Sequence, residues 1–247
     1  MDAVKLISDF EKLAESTPDL NFGYIDKKLG MVHLWWEAVS FWDKRILVTS
    51  GIHGDEIACP LAIYKLLKEE IPFLTKMHRV RVDFVPVINF NGLRLEKRNS
   101  REDIDMNRDF LRPNTVEVQK YKNYFSTKMS STLYDSAVTL HEDYDATGFY
   151  THYTYRNRKS WASYMIKKMS PRHLLDRRRT IDGFDNKSSV VYHGISSRDI
   201  LDGEQAWLLK SYSNCVFTPE TNMNLPLNTR ITQHVEFLKM IIEQTES

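Results

Sequence analysis

The run Arg45–Ser50 (RILVTS) constrains this chain more than any other segment. It is short, β-branched and aliphatic, which is the pattern of a strand buried within a sheet. A glycine follows at once in GIHGDE (51–56), and the next stretch, IACPLAIYKLLKEE, has helical spacing. Strand, glycine-bearing turn and helix in that order make an α/β unit.

The rest of the chain repeats the alternation. Residues 2–15 place Val4, Ile7, Phe10, Leu13 and Ala14 on one helical face, and 21–40 read as a hairpin around Gly30. Residues 80–90 (VRVDFVPVINF) form a strand whose Pro86 marks an edge, a bulge or the strand's end. Residues 115–130 read as helix, and 135–141 (DSAVTLH) as a strand ending at His141. The polar, basic stretch 156–190 reads as a surface excursion with a helical piece near Trp161–Met169. Short strands are expected at 189–193 and 213–219, and a closing amphipathic helix at 228–244 with Asn228 or Thr229 as N-cap. The expectation is one α/β domain over 1–247, a twisted, mixed, mostly parallel β-sheet flanked by helices on both faces. Such sheets carry their functional groups beyond the carboxyl ends of the strands.

Composition excludes several partners. A formal net charge of +1 gives no electrostatic footprint for nucleic acid or an anionic membrane. Basic clusters at Arg156–Lys159 and Arg177–Arg179 read as a solvated face, or as a rim that attracts anions. The amino terminus lacks the basic and apolar regions of a signal peptide, and no apolar run approaches the roughly 18 residues of a membrane span, so a soluble, cytoplasmic protein is expected. The two cysteines, Cys59 and Cys215, form no CxxC pair and sit in or beside apolar stretches, as buried free thiols would.

Three polar residues stand just past expected strand ends: His53, His141 and Glu220. Glu56 follows His53 by three positions, close enough for one turn to aim both at the same ion. Zinc takes imidazole nitrogen and carboxylate oxygen, and a catalytic site supplies three such ligands and leaves a fourth place open. An HxxE pair alone is a weak signal among eight histidines. His141 is placed to bring the third ligand from a distant strand end.

Four pieces in order strengthen it: TSGIHGDE, NFNGLRLEKRNSREDIDMNRDF, VTLHED and FTPET, spanning about residues 48–221. This series resembles the zinc carboxypeptidase family, the carboxypeptidase A-like metallopeptidases, including their succinylglutamate desuccinylase/aspartoacylase branch. The resemblance implies one zinc ion held by His53, Glu56 and His141, with Glu220 as general base. It implies Arg98 as the cation that stabilises the oxyanion, with Arg94 and Arg101 as nearby rivals. Asn107 and Arg108 match the pair that grips a substrate carboxylate, and Asp105 is expected to orient their turn. Tyr192 lies in the region where the family has a substrate-capping tyrosine. Two departures affect loop shape: Asp103 stands where the family has glycine, and Phe90-Asn91-Gly92 replaces proline-aspartate-glycine. Glu142, adjacent to His141 on a strand, should point the other way and be structural or a pocket wall.

The resemblance admits a carboxypeptidase-like hydrolase cutting an amide next to a free carboxylate in a small peptide, such as a cell-wall peptide. It also admits an N-acyl amino acid deacylase. Relatives of the second kind carry a β-rich domain after the catalytic glutamate, whereas residues 221–247 here read as one helix, which favours the first. A non-catalytic binding protein on the same fold is the third reading, disfavoured because every ligand and the base are present.

Overall fold

The computed structural model describes residues 1–38, 41–129, 132–156, 161–194 and 203–247. Helix α1 (Ala3–Ser16) opens the chain, its N-cap Asp2 accepting from the Lys5 N–H at 3.0 Å. The hairpin β1 (Leu20–Asp26) and β2 (Met31–Trp36) follows, then β3 (Lys44–Thr49), α2 (Ala58–Glu69) and the single turn α3 (Ile71–Leu74). Next come β4 (Val80–Val85), α4 (Phe90–Leu95), a 3-10 turn at Met106–Arg108 and α5 (Val116–Lys128). The second half runs β5 (Ser136–Thr139), β6 (His141–Asp143), β7 (Tyr150–Tyr155), α6 (Trp161–Met169), β8 (Thr180–Ile181), β9 (Phe184–Asp185), β10 (Val190–Gly194), α7 (Glu204–Ser211), β11 (Cys215–Asn222) and α8 (Leu227–Glu246).

The main sheet has the order β1-β2-β4-β3-β5-β11-β7-β10, with β6 paired to β11. Pairing is mixed and mostly parallel: β4, β3, β5 and β11 run together, β1 and β2 are added antiparallel at one edge, and β7 runs antiparallel to β11. Successive side chains of a strand point to opposite faces. Thus Ile46 and Val48 of β3 pack with α1, α2, α6 and α8 on one side, while Leu47 packs with α5 and α7 on the other. Phe217 and Val216 of β11 divide the same way. Burial on both faces is why RILVTS shows no polar alternation.

Several local expectations are refined. Pro86 follows the last residue of β4, an internal strand, so it ends the strand rather than marking an edge. The expected strand 135–141 is two short ones. Leu140 donates its N–H to the Thr49 carbonyl at 2.9 Å, and from His141 onward the chain pairs with β11 instead. Helix α8 starts at Leu227, not at an Asn228 or Thr229 cap, with Pro226 in the capping place and no side-chain cap; proline suits a helix start because its missing N–H would be unpaired there anyway. Cys59 and Cys215 are buried free thiols. Of the two basic clusters, residues 157–159 lie outside the described residues. Among the described residues no helix is long and apolar enough to cross a membrane.

Within β4 Asp83 is fully buried. It meets His33 Nε2 at 3.0 Å, Arg81 Nη2 at 3.1 Å and Arg45 Nη2 at 3.3 Å. Burial pushes its carboxyl up, but the hydrogen bond and charge of His33 and the two guanidinium groups outweigh that and hold it below the ordinary 3.8. A depressed carboxyl adds stability above its unfolded value and loses it as pH falls through the folded one. Asp83→Asn should therefore cost about 3 kcal/mol at neutral pH in urea denaturation, and the gap to wild type should narrow as pH drops below 3.8.

Candidate metal centre

Parallel neighbours β3, β5 and β11 open their carboxyl ends on one side, and three turns leave there. The turn after β3 is fixed by backbone contact. Gly51 has φ +63°, and its carbonyl accepts from Asn89 N at 2.7 Å. A Cβ on Gly54 would lie 1.9 Å from the carbonyl carbon of Gly92, so the two backbones touch where only glycine fits. Gly92, within α4, is the glycine that closes the departed Phe90-Asn91-Gly92 motif. Gly54 N also donates to the carbonyls of Lys97 and Arg98, at 3.1 and 3.3 Å. The loop folds back and turns His53 and Glu56 inward.

The Glu56 carboxylate lies between two imidazoles. His53 Nδ1 is 2.5 Å from Oε1 and His141 Nδ1 is 3.0 Å from Oε2. The ring centroids are 5.0 Å apart, and one ligand atom from each of the three residues lies within 4.8 Å of the others. All three are buried. Apart from this approach to His141, Glu56 Oε2 has no hydrogen-bond partner. Two nitrogens and a carboxylate with lone pairs converging and one oxygen orphaned fit a divalent cation such as zinc. The electrostatics agree. Burial pulls His53 down, but Glu56 and Asp105 more than offset it and raise it to about 9. Burial holds His141 below its ordinary 6.5. The triad thus keeps a proton that a metal would displace.

Asp105 does more than orient its turn. Oδ1 accepts from Asn107 N at 2.9 Å and meets His53 Nε2 at 3.2 Å. A carboxylate on Nε2 puts the ring proton there and leaves Nδ1 for an ion. Asp103 has φ +61°, the conformation a glycine would supply, and its Oδ1 accepts from Asn99 Nδ2 at 2.9 Å. Arg98 reaches Glu56 Oε1 at 3.3 Å and Asp105 Oδ2 at 3.4 Å. Arg94 and Arg101 do not line the cavity.

Glu220 stands opposite His141 on one side of β11 and opposite Tyr150 on the other. It is half-buried, and burial together with Glu56 and Asp143 pushes its carboxyl well up. Asn107 Oδ1 accepts from Glu204 N at 3.0 Å, while Arg108 is exposed on the rim with no ion pair among the described residues. These groups share a cavity of about 570 Å³ with His53, Glu56, Arg98 and His141. Glu142 turns away from the triad, as strand alternation requires, to Arg230 Nη1 at 2.5 Å and Ala58 N at 2.8 Å.

Tyr192 is not brought to this cavity. Its hydroxyl lies 2.5 Å from Ser163 Oγ, beside α6, and it lines a separate groove. The next residue, His193, faces the cavity instead, the one-residue alternation of β10. Sequence reasoning missed His193, its neighbour His152 and Asp182, which also line the cavity. Asp182 carried a signal: Asp182-Gly183, with φ +51° and +79°, is the two-residue turn of the β8–β9 hairpin that a DG pair announces.

Residues 43–178 match the family described as the succinylglutamate desuccinylase/aspartoacylase catalytic domain. No curated protein matches the sequence. Among solved structures, a candidate metallopeptidase from Shewanella denitrificans OS217 superposes with a TM-score of 0.83 at 18% identity, over 99% of this chain and 90% of that one. A metallo-carboxypeptidase from Burkholderia cenocepacia gives 0.69 at 16% identity, over 96% and 67%. Bovine thrombin-activatable fibrinolysis inhibitor, solved with tick carboxypeptidase inhibitor, gives 0.70 at 13% identity, over 99% and 97%. At these identities the likeness is one of fold, and the fold is carboxypeptidase-like.

The contact between Gly54 and Gly92 makes a direct prediction. Gly54→Ala must push α4 and the Arg98 loop off the β3 turn, at a cost of about 1–3 kcal/mol or more. Urea midpoints check it, and a variant as stable as wild type would contradict the close approach.

Proposed function

The chain belongs to the succinylglutamate desuccinylase/aspartoacylase catalytic-domain family, and from that membership we propose that it is a zinc-dependent hydrolase that cleaves an amide bond next to a free carboxylate. The observation that carries this reading is the convergence of His53, Glu56 and His141 on one point in a cavity shared with Glu220 and Arg108. Residues 1–247 act as one catalytic domain in this reading, supported by a single main sheet whose β6 and β11 carry His141 and Glu220 and whose β3 leads into the turn of His53 and Glu56.

His53, Glu56 and His141 would hold the zinc, which would supply a Lewis acid able to lower the pKa of a water and polarise the amide carbonyl. Glu220 takes the proton of the attacking water and returns it to the leaving nitrogen. Burial beside Glu56 and Asp143 raises its affinity for that proton. Arg98 offers a guanidinium to the oxygen that gains negative charge. Asn107 and Arg108 hold the substrate carboxylate; the planar guanidinium fork matches it with two hydrogen bonds. Asp105 keeps His53 in the tautomer that leaves Nδ1 available.

The acyl side has two readings. The carboxypeptidase-like fold favours a short peptide, and the family match favours an N-acyl amino acid. Both share the same leaving group, an amino acid with its carboxylate free.

His53→Ala should lose zinc by elemental analysis while the circular dichroism of the fold persists. Glu220→Gln should keep the metal and lose about 10²–10⁴ in kcat. If wild type with stoichiometric zinc turns over neither a dipeptide panel nor N-acyl amino acids, the reading is wrong. Arg108→Ala should raise KM while kcat changes only a few-fold, because it holds a remote part of the substrate; an unchanged KM would remove Arg108 from that role.

A further inference from the structure

Deepening the reading above, and resting on it for the identity of the leaving group, we propose that Asp182 at the tip of the β8–β9 hairpin selects an amino acid with a basic side chain and rejects an acidic one. Charge on the cavity wall is unevenly matched. Most ionised groups around the cavity already have partners. Glu142 is held by Arg230 at 2.5 Å, Asp143 by Arg178 at 3.3 Å and Asp105 by Arg98 at 3.4 Å. Glu56 belongs to the metal triad, and Glu220 is the base beside it. Among the described lining residues this leaves one cation, Arg108, and two carboxylates, Asp145 and Asp182, none of them in an ion pair with an opposite full charge.

Asp182 is the better placed of the two acids. The hairpin that carries it is anchored, with Ile181 packed in a small apolar cluster with Ala146, Tyr150 and Val191. Phe184, on the other side of the turn, sets its ring edge-on to His193 at 4.8 Å. The group nearest the Asp182 carboxylate is His152 Nε2, at 3.7 Å, too far for a hydrogen bond. His152 is 8% exposed, and its Nδ1 lies 3.0 Å from His193 Nε2, with the two rings stacked. Burial and the second imidazole hold His152 down at about 3, so it stays neutral and offers Asp182 no compensating charge. The Asp182 side chain is 71% exposed at the cavity mouth. Burial, Asp143 and Asp145 push its carboxyl up, Arg108 and Arg178 pull it down, and the net is upward, so added positive charge is welcome there.

A substrate whose carboxylate lies on Arg108 presents its side chain to the remaining walls of the same cavity. An ammonium or guanidinium group there satisfies Asp182, with Asp145 nearby. A second carboxylate meets two acids and the uncharged His152.

Two measurements on the zinc-loaded protein test this. The first is calorimetric titration with free L-lysine, L-leucine and L-glutamate, the candidate products. The second is kcat/KM for N-benzoylglycyl-lysine, -leucine and -glutamate and for N-acetyl-lysine and N-acetyl-glutamate. Lysine should bind about tenfold or more tighter than glutamate, and lysine substrates should lead the kinetic order. Asp182→Asn, which keeps the side chain's shape and tolerates the positive φ, should lower the lysine-to-leucine ratio about tenfold. Asp185→Asn, on the same hairpin but outside the cavity, should keep the wild-type ratio. Glutamate binding as tightly as lysine, no binding of any of the three, or an Asp182→Asn ratio equal to wild type would overturn the assignment. Lysine-selective binding without hydrolysis of any probe would uphold Asp182's role and overturn the hydrolase reading instead.

Discussion

A carboxylate taken out of water must be paired, and in this fold the one that matters is Glu56. It is 1% exposed, and an unpaired charge at that depth would cost more than a small part of the fold could offset. Its partners come from far apart in sequence: His53 from the turn after β3, His141 from β6 and Arg98 from the loop after α4. Only a sheet that puts β3 and β5 side by side and leads both toward β11 can deliver them. Strand order and metal centre are therefore one constraint seen at two scales. The same convergence that relieves the buried carboxylate creates a place for a cation.

The parts legible in the sequence share a physical origin. His53, Glu56, His141 and Glu220 each follow a run of buried strand residues, and parallel strands must end on the same side. Position along the chain put them at one end of the sheet, and the resemblance to a family motif series supplied the roles expected of them. The parts that were not legible depend on which face of a strand a residue takes. Tyr192 and His193 differ by one position, and register alone decides which sees the cavity and which sees Ser163. The break at Leu140 depends on a backbone bond to Thr49, more than 80 residues away, which no local pattern encodes. The start of α8 was misplaced because two good capping residues lie just inside the helix, and Pro226 takes the boundary without a side-chain cap. Asp182 was legible in principle, since its DG turn is a local signal, but a two-residue strand on each side is too short to show periodicity.

The two departures from the family's loop sequence have a common explanation. Asp103 keeps the left-handed backbone that glycine would supply, and an aspartate pays little for it because its short side chain bonds locally, here to Asn99. Phe90-Asn91-Gly92 keeps its glycine, whose backbone faces Gly54 and whose own Cβ would meet the Asn89 amide at 2.4 Å. The sequence has changed where backbone geometry can be met another way and is unchanged where two backbones touch.

Precision at the centre follows from what the two residues at the start of β6 do together. His141 and Glu142 point to opposite sides, and both grip the same short stretch of chain. His141 meets the Glu56 carboxylate, while Glu142 Oε2 accepts from Ala58 N, two residues further on, at 2.8 Å. A carboxylate at that place also opposes the positive end of α2, where backbone N–H groups lack partners. Its other oxygen takes Arg230 from α8 and the Thr221 hydroxyl from β11, at 2.5 and 3.1 Å. The loop that carries His53 and Glu56 is thus held from the front by His141 and from behind by a buried ion pair. A site that must hold three ligand atoms within a few tenths of an ångström needs such support, because a carboxylate on an unbraced turn would follow the proton or the solvent rather than the ion. By this argument the closing helix, which does not line the cavity, is part of what sets the geometry of the candidate metal centre.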